Sequence, residues 1–515
     1  MLARVYGAAV SGIDAIKVEI EVSVKPGAGF VIVGLPDTAV KESVERVRCA
    51  LQQAEYKIRG KSIVVNMSPA DIKKEGSAYD LPLAIGTLTA DEKMKSERLD
   101  RYMIMGELSL DGSLRPIKGA LPMAILAREL KLDGFIVPKA NALEAAVVNN
   151  LSIYGVDTLQ EVVQFLNEEI SLTPTVVDTR AEFAKAQGVF PYDFAEVKGQ
   201  ENVKRAFEVA CAGGHNILLI GSPGSGKSMM AKRLPSIMPP LTLSEALETT
   251  KIHSVAGRLP QGTTLMTTRP FRAPHHTISP VALVGGGTYP TPGEISLAHN
   301  GILHLDELPE FGRSVLEVMR QPLEDRVVTI SRAKYSTEYP ASFMLVASMN
   351  PCPCGYYGHP TKRCICTEYQ RSHYMGRISG PLLDRIDLHV EVQPVEFEQI
   401  SSKAPGESSA AIRQRVVAAR AIQERRFKDD PGIHCNAQMT PALLHKYAEP
   451  DAKGLEQLRV VMEKMNMSAR AYDRILKVAR TIADLEGTQD VLQHHIMEAI
   501  GYRSLDRSGY FTAIQ

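Results

Sequence analysis

At 515 residues, with 44% hydrophobic side chains, the chain is long enough for about three domains with sizeable cores, and disorder is not its default state. Lysine plus arginine equals aspartate plus glutamate at 59 each, so any contact with nucleic acid must come from local patches and not from the field of the whole molecule. No stretch approaches the roughly 18 apolar residues of a membrane span, and Asp14, Lys17, Glu19 and Glu21 interrupt any signal-like run at the start, so a cytoplasmic protein with no membrane partner is expected.

From 1 to 170, short apolar or alternating segments (KVEIEVSV, GFVIVGL, KSIVVNMSP, RYMIMGELSL, GFIVP) are spaced by helical stretches such as TAVKESVERVRCALQQA and GALPMAILARELK, which predicts an α+β domain. Residues 171–195, with Pro174, Pro191 and no sustained period, read as a linker. A helix (GQENVKRAFEVACAGG), a buried strand (HNILLIG), a glycine-rich turn and a further helix (KSMMAKRL) then open a parallel α/β domain, placed at 196–395. Within it EDRVVTISRAKYSTEYPASF alternates as a hairpin does. Beyond the turn-rich VEFEQISSKAPGESSAA the period is helical throughout, so 405–515 is expected to be an all-helical C-terminal domain.

GSPGSGKS follows the buried strand and opens a helix, the context that a G-x-x-x-x-G-K-[ST] phosphate loop needs. The loop Gly221, Ser222, Pro223, Gly224, Ser225 and Gly226, with a backbone N–H at every position but the proline, can surround phosphate oxygens, Lys227 can neutralise the β- and γ-phosphates of ATP, and Ser228 can ligate Mg2+. GILHLDE ends in two carboxylates where parallel strands present their active edge; Asp306 suits Mg2+ and Glu307 suits polarising an attacking water. SFMLVASMN ends in Asn350, an amide suited to sensing the γ-phosphate or orienting that water.

NPCPCGYYGHPTKRCIC holds four of the seven cysteines. In a reducing cytosol such thiols are metal ligands or free groups rather than disulfides. Cys352, Cys354, Cys364 and Cys366 suit structural zinc with a full thiolate set, and the intervening Gly355, Gly358 and Pro360 let the loop fold back. Free or redox thiols and an iron–sulfur centre are the alternatives, and His359 is a possible substitute ligand. Because the cluster begins two residues after Asn350, a metal here is expected to brace the loop leaving the γ-phosphate sensor, and not to lie under the phosphate loop.

Phosphate loop, acidic strand and polar sensor together resemble the AAA+ ATPases. The extra hairpin and the insert segments HSVAGRLPQG and RPFRAPHHTISPVALVGGG are similar to the branch that includes magnesium chelatases and replicative helicases. RPFRAPHHTIS, PGEISLAHNGILHLDELPEF, NPCPCGYYG and SGPLLDRIDLHVEV are very similar to stretches of the YifB/ComM family of chelatase-like ATPases, over essentially the whole chain. That resemblance implies a ring, usually of six subunits, with an arginine finger offered to the neighbouring nucleotide, matched by Arg385 with Arg377 as rival. It implies a sensor-2 arginine in a C-terminal helical lid, matched by Arg470 with Arg474 as rival. It also implies a DNA translocase acting in branch migration during recombination or natural transformation; a metal-chelatase motor subunit and a protein-remodelling ring are the alternatives.

KKEGSAYDLPLAI and MGELSLDGSLRPIKGALPMAI resemble the Lon-type protease domain, of the ribosomal S5 domain 2-like fold. Ala78 stands where the serine nucleophile would be and Leu121 where its lysine would be; Ser77 is one residue off and Lys118 is on the wrong helical face, so a non-proteolytic domain is expected. From the residues themselves, Arg332 and Lys334 on the hairpin and Arg269 and Arg272 in the insert are candidates for DNA phosphates inside a ring. His275 and His276 read as polar loop residues.

Overall fold

The computed structural model describes residues 2–503, apart from 57, 59, 95, 96, 187, 189, 261, 288, 289, 333, 334, 396–404 and 466. The N-terminal part is a seven-stranded mixed sheet in the order Gly29–Val33, Lys61–Ser68, Asp14–Pro26, Leu2–Ser11, Tyr102–Ile104, Gly134–Pro138, Ser152–Val156. Its two longest strands form one hairpin, paired from Leu2↔Ser23 to Ser11↔Asp14. The strand Leu2–Ser11 carries a weak sequence signal because its middle is Gly7-Ala8-Ala9 rather than β-branched residues. Packing explains those small residues: a Cβ on Gly7 would lie 3.0 Å from Met105 Sδ, and Ala8 and Ala9 are buried. Helix Asp80–Ala90, buried along its whole length, fills this face of the sheet.

Residues 171–195, expected to be a linker, carry a helix at Thr179–Ala186. Their end is docked on both later parts. The Phe194 N–H donates to Ser409 Oγ at 2.8 Å, Asp193 Oδ1 accepts from Ser409 N at 3.0 Å, and Glu196 pairs with Arg233.

The central sheet is wholly parallel, in the order Phe271–Arg272, Ile302–Leu305, Met344–Met349, Ile217–Gly221, Leu388–Val392. ILLIG, ILHL and MLVASM are buried at every residue, the pattern of strands covered on both faces. Register aligns Ile220 with Met349 and Leu305 with Ala347, so Gly221, Asp306 and Asn350 all leave the sheet at one edge. The expected hairpin forms from Val327–Arg332 and Tyr335–Pro340. Lys334 lies outside the described residues, as does the side chain of Arg332.

Helices Ser409–Arg426, Pro441–Tyr447, Ala452–Met465, Ala469–Glu486 and Gln493–Gly501 make up the C-terminal part and share an apolar core with one face of the parallel sheet. The N-terminal part meets the centre at helix Leu243–Ala256, whose Ala246 belongs to the N-terminal core. Buried Glu144 accepts there from the Ser254 hydroxyl and from Leu121 N, and Lys251 pairs with Asp14 at 2.8 Å. No described helix is long and apolar enough to cross a membrane.

Candidate nucleotide site

The phosphate loop runs from Gly221 into helix Lys227–Ala231. A Cβ on Gly221 would sit 2.5 Å from Val392 O, and Gly226 adopts φ +88°, so both positions demand glycine. Lys227 is buried, with Nζ donating to Gly221 O at 2.7 Å, Ser222 O at 3.0 Å and Asn350 Oδ1 at 3.3 Å. Burial lowers its pKa, opposed by Asp306 and Glu307, so a ligand of high negative charge is the partner this ammonium suits.

Asp306 is fixed on both oxygens. Oδ2 accepts from Ser228 Oγ at 2.6 Å, and Oδ1 accepts from Ser348 Oγ and from Glu307 N at 3.1 Å. Burial raises its pKa, but the Ser228 and Ser348 hydroxyls and His304 outweigh that and hold the carboxyl below its usual range. An ionised carboxylate beside the Ser228 hydroxyl is a donor pair that fits Mg2+. Glu307 instead is 57% exposed at its side chain and sits in left-handed backbone at φ 55°. Lys227, Ser228, Asp306, Glu307 and Asn350 line one cavity of about 370 Å³.

Two contributors were not visible in the sequence pattern. Ser348 supports Asp306 from within the sensor strand; the signal for it is a polar residue in an apolar run. His276, expected to be an ordinary loop residue, places Nδ1 3.7 Å from Glu307 Oε2 and lies against His275, tilted by 35° at 4.0 Å between ring centroids.

The four cysteines converge. Sγ of Cys352 lies 3.4 Å from that of Cys354 and 3.7 Å from that of Cys364, Cys354 and Cys364 are 3.6 Å apart, and all four sulfurs fall within 4.8 Å of one another. Disulfide sulfurs are bonded at about 2.05 Å, whereas a tetrahedron with metal–sulfur bonds of about 2.3 Å has edges of about 3.8 Å. The set encloses the space of one ion. Against the burial that raises it, the N–H groups of Tyr356 and Ile365 hold the Cys354 thiol down to about 6. His359 is not part of the converging set, and its Nδ1 accepts instead from Thr361 N and Lys362 N at 3.1 and 3.0 Å. The loop also corrects one expectation: a Cβ on Gly355 would meet Pro223 Cδ at 2.5 Å, so the cysteine loop lies directly against the phosphate loop.

The arginines separate from this edge. Asp387, just before strand Leu388–Val392, bonds through its N–H to Asn216 O, just before the phosphate-loop strand and about 16 Å from Gly221 at strand rise. Arg474 Nη1 pairs with Asp387 Oδ1 at 3.1 Å, and Arg470, exposed, precedes it by one helical turn. Arg385 is buried and pairs with Glu324 at 2.6 Å. Within one chain neither Arg385 nor Arg470 reaches the phosphate cavity. Arg377 is nearer, bonded to Glu310 Oε2 at 3.0 Å beyond the acidic strand.

Arg269 and Arg272, expected as phosphate contacts, are structural. Arg269 is part-buried and held by Glu245 and the carbonyls of Pro239, Pro240 and Asn300, and Arg272 is bidentate on Glu294 at 2.6 and 2.7 Å. In the N-terminal part Ser77 Oγ donates to Glu107, Ala78 is half-buried, Leu121 is buried, and Lys118 packs over Gly257. The partner of the Ser77 hydroxyl is thus a carboxylate, and the lysine nearest to it in sequence, the buried Lys74, is committed to Pro69 O.

Family descriptions match along the chain: "Magnesium chelatase, subunit ChlI" over 193–400, "Subunit ChlI of Mg-chelatase" over 18–141, and "Magnesium chelatase, subunit ChlI C-terminal" over 406–503. Competence protein ComM of Haemophilus influenzae is 43% identical over 510 residues, 98% of each chain. YifB of Escherichia coli is 42% identical over 512 residues, again 98% of each. The magnesium-chelatase 38 kDa subunit of Rhodobacter capsulatus is 24% identical over 338 residues, 61% of this chain and 87% of that one.

Proposed function

The chain belongs to the ComM/YifB family of magnesium chelatase-like AAA+ proteins, and we propose that it is a cytoplasmic, ATP-hydrolysing ring motor that moves on single-stranded or branched DNA in recombination or natural transformation. The observation that carries the ATPase reading is the convergence of Lys227, Ser228, Asp306, Glu307 and Asn350 on one cavity at the carboxyl edge of a parallel sheet. Gly221–Ser228 would hold the ATP phosphates. Ser228 and Asp306 would hold Mg2+, which neutralises charge on the β- and γ-oxygens. Glu307, exposed and free of the bonds that fix Asp306, takes the proton of the attacking water, and Asn350 orients the γ-phosphate.

The separation of Arg385 from the phosphate edge supports a head-to-tail ring in which one subunit's Arg385 meets the next subunit's nucleotide, with Arg470 as the sensor-2 arginine of the helical lid. We assign structural zinc to Cys352, Cys354, Cys364 and Cys366; four protein ligands leave it no open position for catalysis. The domains are then a non-proteolytic Lon-like module at 1–170, a joining segment at 171–195, the ATPase core at 196–395 and a helical lid at 405–515.

Comparing ATPase stimulation by forked or single-stranded DNA with stimulation by unfolded protein tests the reading. DNA is expected to raise turnover. Stimulation by unfolded protein alone would move the assignment to a protein-remodelling ring, and stimulation only by a porphyrin-metallating enzyme would move it to a chelatase motor.

A further inference from the structure

With Arg269 and Arg272 committed to internal carboxylates, a DNA motor needs another surface for its polymer. The cysteine loop and the helix that follows it, Glu368–Met375, have the composition such a surface requires. Between 351 and 377 the sequence holds four cations, Lys362, Arg363, Arg371 and Arg377, and one carboxylate, Glu368; of the four, Arg377 is taken by Glu310. Among the described residues no carboxylate lies within ion-pair distance of Lys362, Arg363 or Arg371. Between these cations stand large side chains that the fold leaves in solvent: Ile365 is 84% exposed and Tyr369 78%, and the Tyr369 ring stacks with His373 at an interplanar angle of 18°. Arg371 is already laid over the Tyr357 ring, 4.5 Å from its centroid, while its Nη1 donates to Cys366 O at 3.0 Å.

Exposed rings among cations that no described carboxylate neutralises, on a backbone held by four converging thiols, match what an unpaired strand offers: bases to stack and phosphates to neutralise. A duplex hides its base faces, so stacking selects single strands. A purely apolar protein partner would leave the cations without counter-charges.

We propose that the surface formed by Lys362, Arg363, Ile365, Tyr369 and Arg371 binds single-stranded DNA. The inference rests on the DNA-motor reading and adds its contact site. Because Gly355 of the same loop abuts Pro223, the loop that carries this surface also touches the element that grips phosphate, which gives bound DNA a short mechanical route to the ATPase site.

The test is fluorescence anisotropy of a fluorescein-labelled oligothymidylate with full-length protein across a salt series. Tyr369→Ala is expected to weaken binding about tenfold, the scale of one lost base stack, while Tyr369→Phe keeps wild-type affinity. The double variant Lys362→Ala, Arg363→Ala should lower the slope of log K against log salt by about 1.4, at about 0.7 per phosphate contact on a single strand. DNA-free ATPase and zinc content should be unchanged in all three. Wild-type affinity and slope in the alanine variants, with the wild-type protein binding DNA, would overturn this surface and leave the motor reading standing. A change in oligomer mass by light scattering without a change in DNA affinity would assign the surface to a second copy instead. Failure of the wild-type protein to bind any oligonucleotide would overturn the DNA-motor reading itself, and this site with it.

Discussion

Gly355 of the cysteine loop and Pro223 of the phosphate loop touch so closely that a single added Cβ would stand 2.5 Å from the proline ring. Gly355 also adopts φ +82°, which costs an ordinary side chain about 1–2 kcal/mol. Gly355→Ala should therefore displace Pro223 or the loop that faces it. The expected outcome is weaker binding of a fluorescent ATP analogue with zinc content retained. Cys352→Ser and Cys366→Ser should lose the zinc and weaken nucleotide binding too, because the loop they anchor supports the phosphate loop. Unaltered nucleotide affinity in metal-free protein would show that the contact carries no force.

Glu307 and Asp306 are neighbours in sequence with opposite surroundings, and their substitutions should separate accordingly. Glu307→Gln keeps shape and polarity but cannot take a proton, so turnover should fall by about 10²-fold or more while ATP still binds. Lys227→Ala should instead weaken binding, since Nζ sits between the loop carbonyls and Asn350 where the phosphates would lie. Equilibrium nucleotide titration beside steady-state ATPase distinguishes the two.

His276, 3.7 Å from the Glu307 carboxylate, is placed to position that base. His276→Ala should lower kcat with little change in KM and alter the pH profile of kcat, whereas His276→Gln, which keeps a donor, should recover part of the rate. A change in KM alone would put the residue outside the chemistry.

Why His276 escaped the sequence reading while Lys227 did not is a matter of contact range. The phosphate loop announces itself because its chemistry lies in consecutive residues between a strand and a helix. Asp306 and Asn350 follow from the same logic, being the first polar positions after apolar strands. His276 meets Glu307 only because the insert returns to the sheet edge, and Gly355 meets Pro223 only because the cysteines turn the loop back. Arg269 shows the opposite error: a free cation by its charge alone, it is engaged by partners such as Asn300 that no local window contains. The strand Leu2–Ser11 was faint for a third reason, since close packing selected glycine and alanine over the β-branched residues that mark strands.

Asp387 ties the sheet to the C-terminal helices through Arg474 at 3.1 Å and His215 at 3.6 Å. Burial raises its pKa, but Arg474 and His215 outweigh it, and the folded carboxyl stays ionised far below the ordinary range. Its contribution is therefore complete above about pH 4, where the unfolded chain also ionises it, and is lost as pH falls toward the depressed folded value. Asp387→Asn should remove about 3–5 kcal/mol, the scale for breaking a buried pair, and should flatten the acid side of a denaturant-midpoint profile. A variant with wild-type midpoints at neutral pH would show that the network adds no stability.

Arg385 offers the sharpest test of assembly. In one chain it is turned into the fold and paired with Glu324, on the edge opposite the phosphate loop, so it can serve a nucleotide only across a subunit boundary and only by leaving that pair. Arg385→Ala and Lys227→Ala subunits should each be inactive alone. Mixed, they form some interfaces that join an intact phosphate loop to an intact arginine, and ATPase should recover in proportion to the fraction of such interfaces. Arg377→Ala run through the same mixing decides between the rivals: Arg377 is half-exposed beside Glu310, so complementation with that variant and none with Arg385→Ala would transfer the role to it. Absence of recovery in both mixtures, with each variant still assembling by light scattering, would mean that each site completes itself within its own chain, and the head-to-tail ring would have to be abandoned.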